Sequence, residues 1–217
     1  GDAAADRDAR TVDADGDSTH DAVCLAVPMS AVPAAVEAYA PRAEEAIVDV
    51  SGEMTDALAA MREHAADLER ASYHPLFAPP RVPGNVAVVV DEGGPTVDGL
   101  TASVEAGGND VFETTADEHD AAMETVQAGA HAAVLAWRLA ADPVREEFHT
   151  PVSAALEEVA DTVTEGSPAV YAEIQRAFDG ADDVADAAAE IAAADDEAFA
   201  ALYERARGDR EGRDRLE

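Results

Sequence analysis

The chain has 217 residues, with 47 Asp and Glu against 14 Lys and Arg, and a formal net charge of −33 at pH 7. This length suffices for one sizeable domain or two small ones. The charge excludes nucleic acids and anionic membranes as partners, because both bind basic faces. Acidic disorder is one interpretation of such a composition. Apolar residues make up 47% of the sequence and recur with helical and strand periods, which favours a folded protein with an acidic surface.

An acidic surface suits a salt-rich cytoplasm, where high ionic strength screens self-repulsion. The only cysteine is Cys24, which rules out a disulfide within the chain and fits a reducing cytosol. We expect Cys24 to be a small buried hydrophobe. No apolar run is long enough to cross a bilayer, so we predict a cytoplasmic protein without membrane contact. The six histidines are scattered, and we predict no metal site.

Strand-like and helix-like segments alternate through the first half of the chain. Five short apolar runs predict strands at 22–28, 46–50, 71–74, 85–90 and 111–114. Helices are predicted between them at 30–39, 54–70 and 96–106. The first runs are continuously apolar, which indicates strands buried on both faces of a parallel sheet. The pattern predicts an α/β fold with a doubly wound, Rossmann-like sheet.

The period changes after residue 117, and the remainder is predicted to be all helical. The predicted helices are 118–141, 144–164, 168–178, 184–194 and 197–207, with Pro or Gly between most of them. Pro151 is expected in the first turn of its helix. We therefore predict two domains, a partial dinucleotide-binding α/β domain over 1–117 and a helical domain over 118–217.

The segment Ser72-Tyr73-His74-Pro75-Leu76-Phe77-Ala78-Pro79 places a histidine where a strand ends. Open α/β sheets bind their ligands at the carboxyl ends of strands, and the prolines prevent further pairing. A half-buried histidine bonded to backbone is the alternative. The segment resembles the His-Pro-(Met/Leu/Ile)-Phe-Gly-Pro segment of prephenate and arogenate dehydrogenases, the enzymes of tyrosine biosynthesis.

A second segment, Glu118-His119-Asp120-Ala121-Ala122-Met123, resembles the start of that family's first long helix. The likeness continues through Gln127 to His131, which the resemblance implies lines the substrate pocket. A core histidine bonded to Gln127 or to backbone is the alternative for His131. For His119 and Asp120 the competing interpretation is helix capping rather than catalysis.

Two softer matches lie after the first two strands. Ala26-Val27-Pro28 resembles the family's loop beside the nicotinamide, which implies a cofactor contact for Pro28. Val48-Asp49-Val50-Ser51 resembles a segment whose serine contacts the substrate, although the lysine that follows in relatives is missing here. Ser51 as the N-cap of the next helix is the alternative.

The resemblance implies an NAD- or NADP-dependent oxidative decarboxylation of prephenate to 4-hydroxyphenylpyruvate. Hydride leaves the ring carbon that bears the hydroxyl, and the ring loses CO2. His74 would accept the hydroxyl proton, a task that suits a neutral imidazole. The family also implies a homodimer formed through the helical domain. An arogenate or other hydroxy-acid dehydrogenase of the same fold is the alternative among enzymes.

Two departures from the family pattern leave a non-enzymatic alternative open. No Gly-x-Gly-x-x-Gly phosphate-binding loop occurs in the sequence, so either the first βαβ unit lies upstream of Gly1 or the loop has been lost. Thr162 stands where relatives carry a carboxylate-binding arginine, and Arg81, Arg138 and Arg145 are the possible substitutes. A catalytically silent acidic dimer that stabilises a partner would also fit these departures.

Overall fold

The computed structural model describes residues 18–78 and 81–208. All five predicted strands are present and form one sheet. The strands are β1 (His20–Leu25), β2 (Ala43–Asp49), β3 (Glu69–Pro75), β4 (Asn85–Glu92) and β5 (Asp110–Glu113). They lie in sequence order across the sheet. The carboxyl ends of β1, β2 and β3 therefore meet at one edge of the sheet.

The sheet is mixed rather than purely parallel, because β3 and β4 pair antiparallel. The other three neighbouring pairs, β1–β2, β2–β3 and β4–β5, are parallel. A parallel crossover needs a dozen or more residues, and only residues 76–84 connect β3 to β4. The expectation of a parallel sheet is wrong at this pair for that reason.

Helices cover both faces of the sheet. Helices α1 (Val32–Tyr39) and α2 (Thr55–His64) pack on one face, where Val36, Ile47 and Leu58 are fully buried. Helix α3 (Pro95–Ala106) packs on the other face through Val97. Right-handed crossovers explain this arrangement, because β4 and β5 run opposite to β1–β3 and the same handedness then places α3 on the opposite face.

Helix α2 ends at His64, six residues before the predicted end at residue 70. The cause is Arg70, a buried residue of β3 whose guanidinium Nη1 donates to the carbonyl oxygens of Ala65, Ala66 and Leu68. Its Nε also forms an ion pair with Asp91 at 2.8 Å. These charge-assisted bonds hold the turn after α2, so the chain enters β3 instead of continuing as a helix.

Strand β1 lies at the edge of the sheet and is buried on one face only. Val23 and Leu25 face the core under α1 and α2, whereas Cys24 points to the other face and is exposed. Helix α3 packs over the middle of the sheet, where its core includes buried residues of β2, β3 and β4 but none of β1. The prediction that Cys24 is buried is therefore wrong.

The later part of the described chain is helical, as predicted. The α-helices are α4 (Ala116–Met123), α5 (Ala130–Ala140), α6 (Pro151–Thr164), α7 (Pro168–Ala177), α8 (Gly180–Ala193) and α9 (Asp196–Arg207). Pro151 opens α6 behind a capping box of Thr150 and Ser153, which confirms its expected place in the first turn.

The predicted helix over 118–141 is interrupted by a π-helical turn, Glu124–Gly129, between α4 and α5. The backbone of α8 approaches closely there. A β-carbon on Gly180 would lie 2.1 Å from the Glu124 carbonyl oxygen and 2.7 Å from the Gly129 nitrogen. Only glycine at position 180 permits this approach, and π-helical turns are often found at such special contacts.

The chain forms two compact units. One contains the sheet, the helices up to Met123 and Pro168–Ala177, and the other contains Glu124–Ser167 and residues 178–208. The predicted domain boundary after residue 117 stays a prediction. Within residues 18–78 and 81–208, no helix has both the length and the hydropathy needed to span a membrane.

We predict that Leu58→Ala lowers the free energy of unfolding by about 2–5 kcal/mol, because Leu58 is fully buried between α2 and the sheet. Chemical denaturation of the purified protein would measure this. The control is Val170→Ala in α7, where the side chain is 54% exposed and a change within about 0.5 kcal/mol is expected. Equal losses in the two variants would contradict the assigned core.

Candidate active site

His74 lies at the carboxyl end of β3, as predicted, and its side chain is buried. Pairing of β3 with β2 and β4 holds its backbone, and its ring faces the same side of the sheet as α2. Burial lowers the pKa of His74 to about 4, with a further contribution from His119, against the opposing charge of Asp120. The imidazole is therefore neutral at pH 7 and able to accept a proton.

His119 of α4 connects His74 to a carboxylate. Its Nε2 lies 2.9 Å from His74 Nδ1, and its Nδ1 lies 2.8 Å from Asp120 Oδ1. An ionised carboxylate only accepts hydrogen bonds, so His119 Nδ1 carries the proton that is donated to Asp120. With the His119 proton on Nδ1, its Nε2 is the acceptor and His74 donates from Nδ1. This order places the lone pair of His74 on Nε2, the nitrogen suited to act as a base.

Asp120 is held at the N-terminus of α2. Its Oδ1 accepts the backbone N–H of Met54 at 3.1 Å, and its Oδ2 accepts that of Thr55 at 3.1 Å and the Thr55 hydroxyl. Asp120 thus caps a helix from another part of the sequence rather than its own. Although burial acts in the opposite direction, these bonds and the one from His119 hold the pKa of Asp120 well below its usual range.

A second carboxyl group, that of Glu53, shares this helix terminus. Glu53 Oε1 accepts the backbone N–H of Asp56 at 2.8 Å, one residue beyond the amides that Asp120 binds. Glu53 and Asp120 therefore bind consecutive backbone amides of the same helix terminus. Burial and the neighbouring acids Asp120 and Asp56 raise the pKa of Glu53 to about 7. Two neighbouring carboxyl groups do not both ionise easily, so Glu53 retains its proton up to near neutral pH while Asp120 is ionised.

Ser51 follows β2 in the sequence Asp49-Val50-Ser51-Gly52, where Asp49 and Ser51 are buried and Val50 is exposed. Its hydroxyl and its backbone N–H both bond to Asp49 Oδ2. Met54, not Ser51, is the N-cap residue of α2, so the capping alternative is wrong. The predicted substrate contact of Ser51 stays a prediction. Burial raises the pKa of Asp49.

The loop after β1 reaches the same place. Pro28 is exposed and precedes a short 3-10 helix, Met29–Ala31. A β-carbon on Gly52 would lie 3.0 Å from Met29 Sδ and 3.6 Å from His74 Nε2, so these three residues surround one small space. Glu173 of α7 fixes the loop by accepting bonds from the Met29 N–H and the Ser30 hydroxyl, each at 3.2 Å.

Three of the remaining candidate residues, His131, Arg138 and Arg145, lie in the helical unit. His131 is half-buried in α5, and burial lowers its pKa. Arg138 is engaged by Glu157 and Asp161, and Arg145 lies over the Phe148 ring with 4.8 Å between the guanidinium carbon and the ring centroid. Arg81 is exposed in the sheet unit. Among residues 18–78 and 81–208 no cluster of His, Cys, Asp and Glu is suited to a metal ion.

Comparison with known proteins gives the family. The 4-amino-4-deoxyprephenate dehydrogenase of Streptomyces pristinaespiralis is 33% identical over 207 residues, and the match covers 87% of this chain and 70% of that protein. The chain belongs to the prephenate/arogenate dehydrogenase family. The family predicted from the two sequence segments is therefore confirmed. The prediction that the protein is a dehydrogenase is confirmed as well. No family model matches the sequence.

Solved structures of the prephenate/arogenate dehydrogenase family share the fold. The prephenate dehydrogenase of A. aeolicus, in complex with hydroxyphenyl propionate and NAD+, gives a TM-score of 0.61 at 13% identity, covering 91% of this chain and 77% of that one. The Synechocystis arogenate dehydrogenase gives 0.54 at 15% identity, covering 89% and 79%. The predicted Rossmann-like sheet followed by a helical region is confirmed.

The structure brings His74, the Ser51–Gly52 turn and the loop after Pro28 close together at the carboxyl ends of three strands. Sequence reasoning missed the contact of His119 with His74 and the pairing of Glu53 with Asp120. The only available signal was the adjacent His119-Asp120 pair, which local capping explains equally well. Glu53 carries no signal in the sequence, because its partner is 67 residues away in the chain (120 − 53).

We predict that Asp120→Asn destabilises the protein by about 1–2 kcal/mol at pH 7, because the ionised carboxylate binds the amides of α2. The pKa of Asp120 is lowered to about 2 in the folded state, from 3.8. The advantage of the wild type is therefore complete above about pH 5 and disappears as the pH falls towards 2. Urea denaturation of both proteins across this range checks it. A difference that does not depend on pH would contradict the charge-based capping.

Proposed function

We propose that this protein catalyses the oxidative decarboxylation of a prephenate-type ring with NAD or NADP as hydride acceptor. The observation that carries the proposal is the neutral, buried His74, oriented by His119 and Asp120 at the carboxyl end of β3. Membership of the prephenate/arogenate dehydrogenase family supports it, as does the strand-end location at which open α/β sheets bind their ligands.

His74 acts as the proton acceptor for the ring hydroxyl. As the C–H bond at that carbon breaks, positive charge develops on the ring, and a hydrogen bond from the hydroxyl to His74 Nε2 stabilises it. The His119–Asp120 pair keeps His74 in the required tautomer and orientation. Ser51, and His131 in the helical unit, are proposed to contact the substrate, with the support of the family resemblance.

The residues present fit the nicotinamide end of a dinucleotide. The absence of a side chain at Gly52 keeps open the space bounded by Met29 and His74, and Pro28 begins the adjoining loop. We propose that Pro28 and Gly52 would hold the nicotinamide, which supplies hydride acceptance when bound. The 217 residues contain no Gly-x-Gly-x-x-Gly segment for the phosphates.

A substrate with an amine in place of the ring hydroxyl is a second candidate beside prephenate and arogenate. The relative at 33% identity is named for 4-amino-4-deoxyprephenate. The charged side chains found along the His74–His119 contact are acidic, namely Asp120 and Glu53. An acidic environment favours a cationic ammonium group over a further anion.

We also propose a cytoplasmic homodimer formed through the helical unit. Support comes from large apolar side chains that this unit exposes, namely Leu139 (87% exposed), Phe148 and Val152. We expect Leu139→Glu to shift sedimentation from dimer to monomer, because a charge in an apolar interface is costly. Glu190→Gln, an exposed change in the same unit, is the control. A wild-type protein that sediments as a monomer would contradict the proposal.

We predict that His74→Asn lowers kcat with prephenate by about 10²–10⁴-fold, because asparagine cannot accept the proton. Production of NADH or NADPH is the readout. Dinucleotide affinity, measured by fluorescence titration, should stay within about twofold, since the change removes proton transfer and not cofactor binding.

His64→Asn is the matched control, because His64 is exposed at the end of α2. It should retain wild-type turnover. A His74→Asn variant with unchanged kcat would remove His74 from the reaction.

A further inference from the structure

The proton balance of the reaction depends on the group at the ring carbon. With a hydroxyl substrate, hydride goes to NAD(P)+, CO2 leaves, and the electron pair of the broken C–C bond completes the aromatic ring. The hydroxyl proton shared with His74 returns to the phenol oxygen, so no proton is released. An amine substrate enters as an ammonium ion and ends as a neutral aromatic amine. One proton must therefore leave the site.

We propose that Glu53, acting through Asp120 and His119, accepts the proton that an amine-bearing substrate gives to His74. The inference rests on the proposed function. It names Glu53 as a residue that an amine-bearing substrate needs and a hydroxyl-bearing substrate does not. An N–H bond of the ammonium breaks as the bond to His74 Nε2 forms. His74 Nδ1 passes its proton to His119 Nε2, and His119 Nδ1 passes its own to Asp120. Glu53 then receives a proton and releases it to solvent.

The geometry supplies the steps from His74 to Asp120 and places Glu53 at the same helix terminus as Asp120. His74 Nδ1 lies 2.9 Å from His119 Nε2, and His119 Nδ1 lies 2.8 Å from Asp120 Oδ1. Both are hydrogen-bond distances. Asp120 and Glu53 bind consecutive backbone amides of one helix terminus, Asp120 those of Met54 and Thr55 and Glu53 that of Asp56. The path therefore runs from the buried His74 and His119 to the half-buried Glu53, whose neighbours Thr55 and Asp56 are exposed.

The proton affinities also favour this direction. The pKa of His74 is about 4 because it is buried, and that of Glu53 is about 7 because it is buried beside Asp120. Glu53 is therefore a stronger proton acceptor than His74, whereas Asp120, which lies between them on the path and has a low pKa, only passes the proton on. The titratable groups facing Glu53 are Asp120 from α4 and Asp56 from α2, and both are acids that raise its affinity for a proton.

The test compares two substrates with one variant. Glu53→Gln keeps an acceptor for the Asp56 amide but cannot take up a proton. We expect kcat/KM for 4-amino-4-deoxyprephenate to fall about ten- to a hundredfold and its pH profile to lose the ionisation near 7. With prephenate, kcat/KM should change less than about twofold. Glu63→Gln, an exposed change on the same helix, should affect neither substrate.

A second readout does not require turnover. Calorimetric binding of 4-amino-4-deoxyprephenate in buffers of different ionisation enthalpy counts the protons released. We expect that Glu53→Gln changes this number and that Glu63→Gln does not. Equal losses with both substrates, or proton release that Glu53→Gln leaves unchanged, would overturn the role of Glu53. A wild type that turns over neither substrate would overturn the proposed function, and the calorimetric result would still decide the role of Glu53.

Discussion

The ionised carboxylate of Asp120 is the interaction on which the site depends. It accepts hydrogen bonds from two backbone N–H groups at the start of α2 and from Nδ1 of His119. The first contact fixes α4 against α2, and the second determines which nitrogen of His74 carries the lone pair. One partly buried charge thus links the packing of the unit to the chemistry of its central histidine, because the positive end of the helix dipole and a histidine N–H both stabilise the same anion.

The sheet supplies the place at which these groups meet. The carboxyl ends of β1, β2 and β3 lie side by side, so the loop after Pro28, the turn at Gly52 and His74 converge although they are far apart in sequence. The antiparallel strand β4 forms the backbone hydrogen bonds on the other side of β3. Because β4 runs antiparallel to β3, α3 packs on the opposite face of the sheet. Helices α1, α2 and α4 pack on the face beside His74.

The acidic character of the protein has a local consequence at this site. Glu53 and Asp120 place two carboxyl groups on one helix terminus, where the ionised Asp120 and burial raise the pKa of Glu53 to about 7. A hydroxyl substrate needs only a polarising contact, whereas an ammonium substrate needs a destination for a proton. The chemistry beside His74 therefore bears directly on which ring substituent the protein accepts, a question that family membership leaves open.

The sequence by itself determined the family, the five strands, the helical second half and the strand-end position of His74, because these follow from local periodicity, turn residues and short contiguous segments. It did not reveal the antiparallel β3–β4 pair, the early end of α2 at His64 or the exposure of Cys24. Only the tertiary structure decided that His119 touches His74 and that Asp120 lies beside Glu53. The physical reason is that these contacts join residues 45 and 67 positions apart in the chain, and a pattern confined to one segment carries no information about its distant neighbours.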